Sequence, residues 1–85
     1  MEISDIKIRK TMHDGRLRAV VSVTLDHAVA IHDIKIVQGD DRLFVAMPSR
    51  REDNGVYRDI IHPINTDARG EFENSIIAAY QNFIS

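Results

Sequence analysis

Basic side chains occupy alternate positions in two neighbouring segments, residues 7–9 and 16–18. Between them lies Gly15, and glycine can adopt the positive φ that a tight turn requires. Because side chains on a strand alternate between its two faces, a hairpin closed at Gly15 is expected to gather the basic residues on one solvent-facing surface. These candidate phosphate-binding residues are Lys7, Arg9, Arg16 and Arg18. A solvated sheet face also needs charges, often paired with carboxylates on the next strand, so alternation alone leaves binding and solvation both open.

A second basic cluster follows the apolar segment 43–47. Arg50 and Arg51 are adjacent in a stretch without apolar residues, and Arg58 lies just beyond it. Guanidinium groups on a loop can bind phosphates and can hydrogen-bond guanine edges with two parallel donors. Glu52 and Asp53 come directly after the arginine pair, and they favour the alternative of a loop that is merely soluble.

The histidines and carboxylates do not form a convincing catalytic or metal site. Consecutive strand residues such as His32 and Asp33 face opposite sides, and Asp59 and His62 also differ in parity. His32 shares the parity of the apolar residues of its strand, which predicts a hydrogen-bonded core or interface histidine. The serines lie in no nucleophile motif, and there is no glycine-rich phosphate loop. We therefore expect no enzyme, no metal, no cofactor and no small-molecule substrate.

The composition is that of one small domain spanning residues 1–85. The chain has 11 Lys and Arg against 13 Asp and Glu, a net charge of −2, and no cysteine. A chain of this length has a thin core, which favours association into a homodimer. The absence of cysteine fits the reducing cytoplasm. The alternating N-terminal segment is unlike a signal peptide, and no apolar run reaches the ~20 residues of a membrane span, so we expect no membrane association.

Hydrophobic periodicity predicts five strands followed by one helix. The apolar set alternates with period two in the strands and changes parity near Ile31, which suggests a bulge. Asn-Gly and several charged residues predict a solvated loop at 49–55, after Pro48 has ended the fourth strand. The predicted strands cover residues 3–9, 17–25, 29–37, 43–47 and 56–61. The predicted fold is α+β, a five-stranded antiparallel meander with a C-terminal amphipathic helix packed on one face.

The helix is expected to begin near Thr66, with Asn65 or Thr66 as its N-cap and Asp67 in its first turn. Its apolar stripe has the spacing of a buried helix face. The stripe residues are Phe72, Ile76, Ala79, Tyr80 and Phe83. Together with Phe44, the aromatic residues of this stripe are predicted to lie in the core, which leaves Tyr57 as the candidate for stacking on a nucleic-acid base.

Taken together, five segments of the chain strongly resemble the SpoVG family, stage V sporulation protein G. They are MEISDIKIRK, DGRLRAVVSVTLD, IHDIKIVQG, LFVAMPSRR and YRDIIHPIN, in this order and over nearly the whole chain. The resemblance implies a bacterial cytoplasmic regulator linked to septation and sporulation, homodimeric, binding DNA and in some members RNA, and not an enzyme. It places the nucleic-acid contact on the basic pair after Met-Pro-Ser, which is Arg50 and Arg51 here.

Two features depart from the family pattern. Many members continue the loop with Thr-Pro, whereas this chain has Glu52 and Asp53, which add negative charge beside the arginines. Many members also carry a charged, often acidic extension beyond the helix, whereas this sequence ends at Ser85.

Two functional hypotheses follow. The leading one is a dimeric nucleic-acid-binding regulator whose Arg50 and Arg51 contact phosphates, with Arg58 and the strand cluster extending the surface. The alternative is a protein-interaction module that affects septation by docking to another protein, which the net negative charge favours.

Overall fold

The computed structural model describes residues 2–85, which form an antiparallel sheet, a separate hairpin and one helix. The strands are β1 (Ile3–Thr11), β2 (Leu17–Leu25), β3 (Val29–Gln38), β4 (Leu43–Ala46), β5 (Ser49–Arg51) and β6 (Tyr57–Asp59), and the helix is α1 (Thr66–Ile84). The first four strands form one sheet in the order β1-β2-β3-β4, and β5 pairs only with β6. The predicted α+β class is confirmed.

The predicted single five-stranded meander is wrong in its last part. The segment expected to be a solvated loop contributes β5, and β6 pairs with β5 rather than with β4. Pro48 interrupts the sheet because it has no backbone N–H to donate to a ladder. Beyond it, Gly55 at φ 85° closes a tight turn, in which its N–H donates to the carbonyl of Glu52 at 2.9 Å. The result is a short hairpin, named here the arginine hairpin (residues 49–59).

The core lies on one face of the four-stranded sheet, under the helix. The central strands β2 and β3 supply most of the sheet side of the core, and β4 with the residue after it supplies the rest. The helix contributes Phe72, Ile76 and Tyr80, which are four residues apart and therefore lie on one stripe. The buried sheet-side residues are Ala19, Val21, Val23, Leu25, Ile31, Ile34, Ile36, Val45 and Met47.

The bulge expected near Ile31 is confirmed. Val21 pairs with Ile34 and Val23 with Ile31, so β3 has two residues where β2 has one. Asp33 occupies this bulge with φ 62°. The extra residue places His32 on the face away from the helix, where its ring Nδ1 lies 2.8 Å from the Ser22 hydroxyl. The prediction that His32 shares the apolar face is therefore wrong, because the bulge reverses the parity.

The helix begins as predicted, but two aromatic residues lie outside the core. The side chain of Asn65 accepts a hydrogen bond from the Ala68 N–H at 2.8 Å, which makes Asn65 the N-cap. Phe83 is 61% exposed, because the apolar stripe continues into the last helical turn, which no other element among residues 2–85 covers. Phe44 is 38% exposed, because it alternates with Val45 and so faces away from the helix. Within residues 2–85 no helix combines the length and apolar character needed to cross a bilayer.

Candidate nucleic-acid interface

The arginine hairpin presents its basic side chains on a projecting, exposed element. Every residue of β5 and β6 is exposed. Arg50 pairs with Arg58 across the two strands, and Arg51 pairs with Tyr57. Because directly paired residues share a face, Arg50 and Arg58 lie on one face of the hairpin and Arg51 lies with Tyr57 on the other.

Glu52 compensates the repulsion between Arg50 and Arg58, which lie opposite each other on one face of the hairpin. Two cations placed opposite each other destabilise a strand pair. Glu52 follows Arg50 by two residues and so lies on the same face, where its carboxylate forms an ion pair with the Arg58 guanidinium. Arg58 is therefore neutralised within the hairpin. Among residues 2–85, neither Arg50 nor Arg51 takes part in an ion pair.

The hairpin as a whole is balanced in charge. Residues 49–59 contain three arginines, and they also contain three carboxylates, Glu52, Asp53 and Asp59. The departure from the family pattern thus has a structural consequence, since Glu52 pairs with Arg58, and Arg50 and Arg51 are the two cations of the hairpin without an ion pair among residues 2–85. Tyr57 is 66% exposed on the Arg51 face, which keeps it available for base stacking.

The basic residues of the first hairpin do not form the single surface that alternation predicts. Lys7 pairs with Ser22 and lies on the face away from the helix, and the Arg9 Nε donates to the Ser22 hydroxyl at 3.1 Å on the same face. Arg16, in the turn, forms an ion pair with Asp40 at 3.1 Å. The structure therefore brings Lys7 and Arg9 together and holds Arg16 apart from them.

Arg18 lies toward the helix side of the sheet. The β2–β3 register shifts between Leu17 and Ala19, so Arg18 occupies an irregularity in the strand. Its guanidinium donates to the His13 carbonyl at 3.2 Å. It also lines a cleft with Leu43 and Tyr80. Both strands contain such irregularities, which period-two counting does not anticipate.

Two lysines absent from the sequence prediction join Lys7 and Arg9. Lys10 and Lys35 both pair with Val20, from opposite sides of β2, which places all three on the face away from the helix. Lys35 lies between Ile34 and Ile36 in sequence, and because both isoleucines face the core, alternation alone could have placed Lys35 on the opposite face. Simple alternation would put Lys10 on the face opposite to Lys7, and the register shift between Ile8 and Lys10 brings it to the same face.

An apolar cleft lies at the opposite end of the helix from Arg18. Its floor includes Leu25, Met47 and Phe72, and Ile61 and Ile64 form part of its wall, around a volume of about 330 Å³. Ile64 is 87% exposed, which leaves a large apolar side chain in solvent. Such a surface is typical of an interaction site.

Comparison with known proteins assigns the chain to a family. The SpoVG family model matches residues 1–82. The chain belongs to the SpoVG family. The SpoVG segments LFVAMPSRR and YRDIIHPIN correspond to β4 with β5, and to β6 with the segment leading to α1, so they build the arginine hairpin and its flanks.

Several SpoVG relatives are similar over most of their length. A protein of Desulforudis audaxviator is 55% identical over 82 residues, which cover 96% of this chain and 93% of the relative. A Bacillus subtilis relative is 46% identical over 80 residues, covering 94% and 82%. A Staphylococcus aureus relative is 48% identical over 80 residues, covering 94% and 80%. All three carry the name "Putative septation protein SpoVG".

Proposed function

We propose that this SpoVG-family chain is a nucleic-acid-binding regulator, with DNA as the first candidate ligand and RNA as the second. The observation that carries the proposal is the pair of exposed arginines, Arg50 and Arg51, which make no ion pair among residues 2–85 and stand on a projecting hairpin. Guanidinium groups that are free of carboxylates can bind phosphate oxygens with two parallel hydrogen bonds. We expect the regulated process to be septation and sporulation, as the family name indicates.

The other basic residues have different roles in this proposal. Arg58 supports the hairpin through its ion pair with Glu52, which occupies its guanidinium. Lys7 and Arg9 extend the basic surface on the sheet. Arg16 and Arg18 are engaged with Asp40 and the His13 carbonyl and contribute only at the edge of the surface.

The active form in this proposal is a homodimer. A two-stranded hairpin is marginally stable by itself, and both strands here have only three residues, all exposed. The segment after it leaves Ile60 68% and Ile64 87% exposed beside the apolar cleft. A second copy that covered this segment would bury the apolar side chains and stabilise the hairpin. A twofold axis would then present two arginine hairpins to one nucleic acid.

The test is fluorescence anisotropy of labelled duplex DNA and single-stranded RNA at several salt concentrations. Arg50→Gln/Arg51→Gln is compared with Arg42→Gln/Arg69→Gln, which changes the net charge equally outside the proposed surface. We expect the first variant to weaken binding strongly and to reduce the salt dependence by about 0.9 per lost duplex phosphate contact. Equal binding by the two variants would contradict the assignment to the hairpin.

The alternative function is a protein-interaction module, and the apolar cleft at Ile61 and Ile64 is the observation that favours it. A pull-down from lysate with and without nuclease separates the two functions. Partners that depend on intact nucleic acid support the leading proposal. Partners that survive nuclease and are lost in Ile64→Glu support docking through the cleft.

A further inference from the structure

The face of the four-stranded sheet away from the helix, named here the open face, carries a concentrated positive charge. Four cations lie on it, and among residues 2–85 none of them forms an ion pair. These residues are Lys7, Arg9, Lys10 and Lys35. The pairing of Asp5 with Thr24 places its carboxylate on the same face, and Asp33 in the neighbouring bulge forms no ion pair within residues 2–85. A chain of net charge −2 thus holds a locally basic sheet surface.

A buried hydroxyl organises the centre of this face. Ser22, on the inner strand β2, is only 7% exposed. Its oxygen lies 3.1 Å from the Arg9 Nε on β1 and 2.8 Å from the His32 Nδ1 on β3. One hydroxyl therefore fixes a guanidinium and an imidazole from the two flanking strands.

The donor and acceptor roles at Ser22 depend on the tautomer of His32. A guanidinium can only donate, so Ser22 accepts from Arg9. In the His32 tautomer that carries its hydrogen on Nε2, Ser22 donates its own hydrogen to Nδ1, and the Nε2–H can donate to a ligand. The terminal nitrogens of Arg9 form no ion pair with residues 2–85. In this tautomer the network presents a preorganised set of N–H donors, which is what a phosphate group requires.

From Ser22 the basic residues of this face continue along the strands in one direction. Lys7 is the cross-strand partner of Ser22. Two residues along β2, about 6.6 Å away, Lys10 and Lys35 flank Val20. Beyond them Val37 pairs with Phe44, whose ring is 38% exposed. Cations and an exposed aromatic side chain on one sheet face are the two components of a surface that binds single-stranded nucleic acid.

We propose that the open face binds a single nucleic-acid strand, with one phosphodiester held by Arg9 and His32 and one base stacked on Phe44. Ser22 is the positioning residue, since it orients both donors and is itself buried. This inference rests on the proposed nucleic-acid function. It adds a second binding surface and specifies that the ligand of this surface is single-stranded. The arginine hairpin and the open face then both bind nucleic acid.

The two surfaces lie near each other along the chain. Lys35 pairs with Ala46, the last residue of β4. Arg50 follows Ala46 by four residues, a separation of at most about 14 Å along an extended chain. A strand crossing the open face can therefore reach the arginine hairpin of the same subunit.

Charge also decides against a second copy of the chain as the occupant of this face. A twofold interface brings the same patch of each subunit together. The four unpaired cations would then face their own counterparts, which is repulsive, whereas a polyanion complements them.

The test uses the full chain and compares a mixed-sequence single-stranded RNA, a single-stranded DNA and a duplex by anisotropy. Arg9→Lys keeps the charge but loses the fork, Ser22→Ala releases both donors, and Phe44→Leu removes the ring. We expect Arg9→Lys to weaken single-strand binding roughly tenfold, since charged hydrogen bonds are lost. We expect Phe44→Leu to weaken it about fivefold or more. Duplex affinity stays within twofold in Phe44→Leu, because paired bases are not available to stack on the ring.

Thermal unfolding and sedimentation of each variant accompany the titrations. Wild-type protein that binds none of the probes would remove the proposed function and this inference with it. Binding that is lost in Arg50→Gln/Arg51→Gln but unchanged in Arg9→Lys, Ser22→Ala and Phe44→Leu would overturn the open-face inference alone. A change from dimer to monomer in Lys35→Glu would show that a second copy covers this face, which also overturns it.

Discussion

Glu52 provides the sharpest test of how the arginine hairpin works, because it neutralises one of three arginines. In Glu52→Gln the ion pair with Arg58 is lost, and the hairpin changes from balanced to a net charge of +1. The freed guanidinium is then available for one more phosphate. An additional contact steepens the dependence of log K on log salt by about 0.9 for duplex DNA.

The expected magnitude follows from that slope. Between 50 and 200 mM salt the concentration rises fourfold, and fourfold to the power 0.9 is about 3.5. The affinity advantage of Glu52→Gln over wild type should therefore shrink about 3.5-fold across this range. The effect on stability should be small, below about 1 kcal/mol, because both side chains are well exposed.

The control is Asp53→Asn, which removes the same charge from the adjacent residue without freeing Arg58. Among residues 2–85 Asp53 forms no ion pair. Its substitution should raise affinity modestly and leave the salt slope unchanged. Anisotropy titrations of wild type and both variants at four salt concentrations give the slopes. Identical slopes of log K against log salt for Glu52→Gln and Asp53→Asn would refute the reasoning that the ion pair with Glu52 keeps Arg58 from contacting phosphate.

Three further predictions concern the fold and the assembly. Ile76→Ala removes a fully buried side chain and should lower the free energy of unfolding by about 2–5 kcal/mol in urea titrations at fixed protein concentration; a loss under 1 kcal/mol would show that the helix does not seal the core. Asn65→Ala removes the N-cap acceptor of Ala68 and should cost about 1 kcal/mol in the same assay, so an unchanged midpoint would argue against the cap. Ile64→Glu places a charge on the exposed apolar segment and should shift the sedimenting species from a dimer to the 9.7 kDa monomer; an unchanged dimer would move the interface elsewhere.

Much of the fold was predictable because its apolar residues alternate cleanly. The first four strands, the bulge near Ile31 and the N-cap Asn65 all follow from period-two patterning and capping preferences. The arginine hairpin did not follow, because β5 contains no apolar residue to reveal a strand. Its formation depends on Pro48 ending the sheet and on Gly55 closing the turn. Both residues are equally common in irregular loops, so in the sequence they do not distinguish a hairpin from a loop.

The candidate surface was predictable only in part, for a reason that lies in the strand irregularities. Lys7 and Arg9 lie together as alternation predicts, but the shifts at residues 9 and 18 bring Lys10 to the open face and turn Arg18 toward the helix side. A one-residue shift reverses the face of every side chain beyond it. The pairing of Glu52 with Arg58 also requires three-dimensional structure, since the sequence shows only that both charges are near each other.

The most direct test of the central claim is an NMR titration that follows the arginine side-chain Nε–H resonances as duplex DNA is added. The account predicts that the resonances of Arg50 and Arg51 shift and broaden at low salt and recover at high salt. Those of Arg42 and Arg69 should stay unchanged, which controls for general charge effects. Shifts spread equally over all arginines, or confined to residues outside the hairpin, would contradict the assignment of nucleic-acid binding to Arg50 and Arg51.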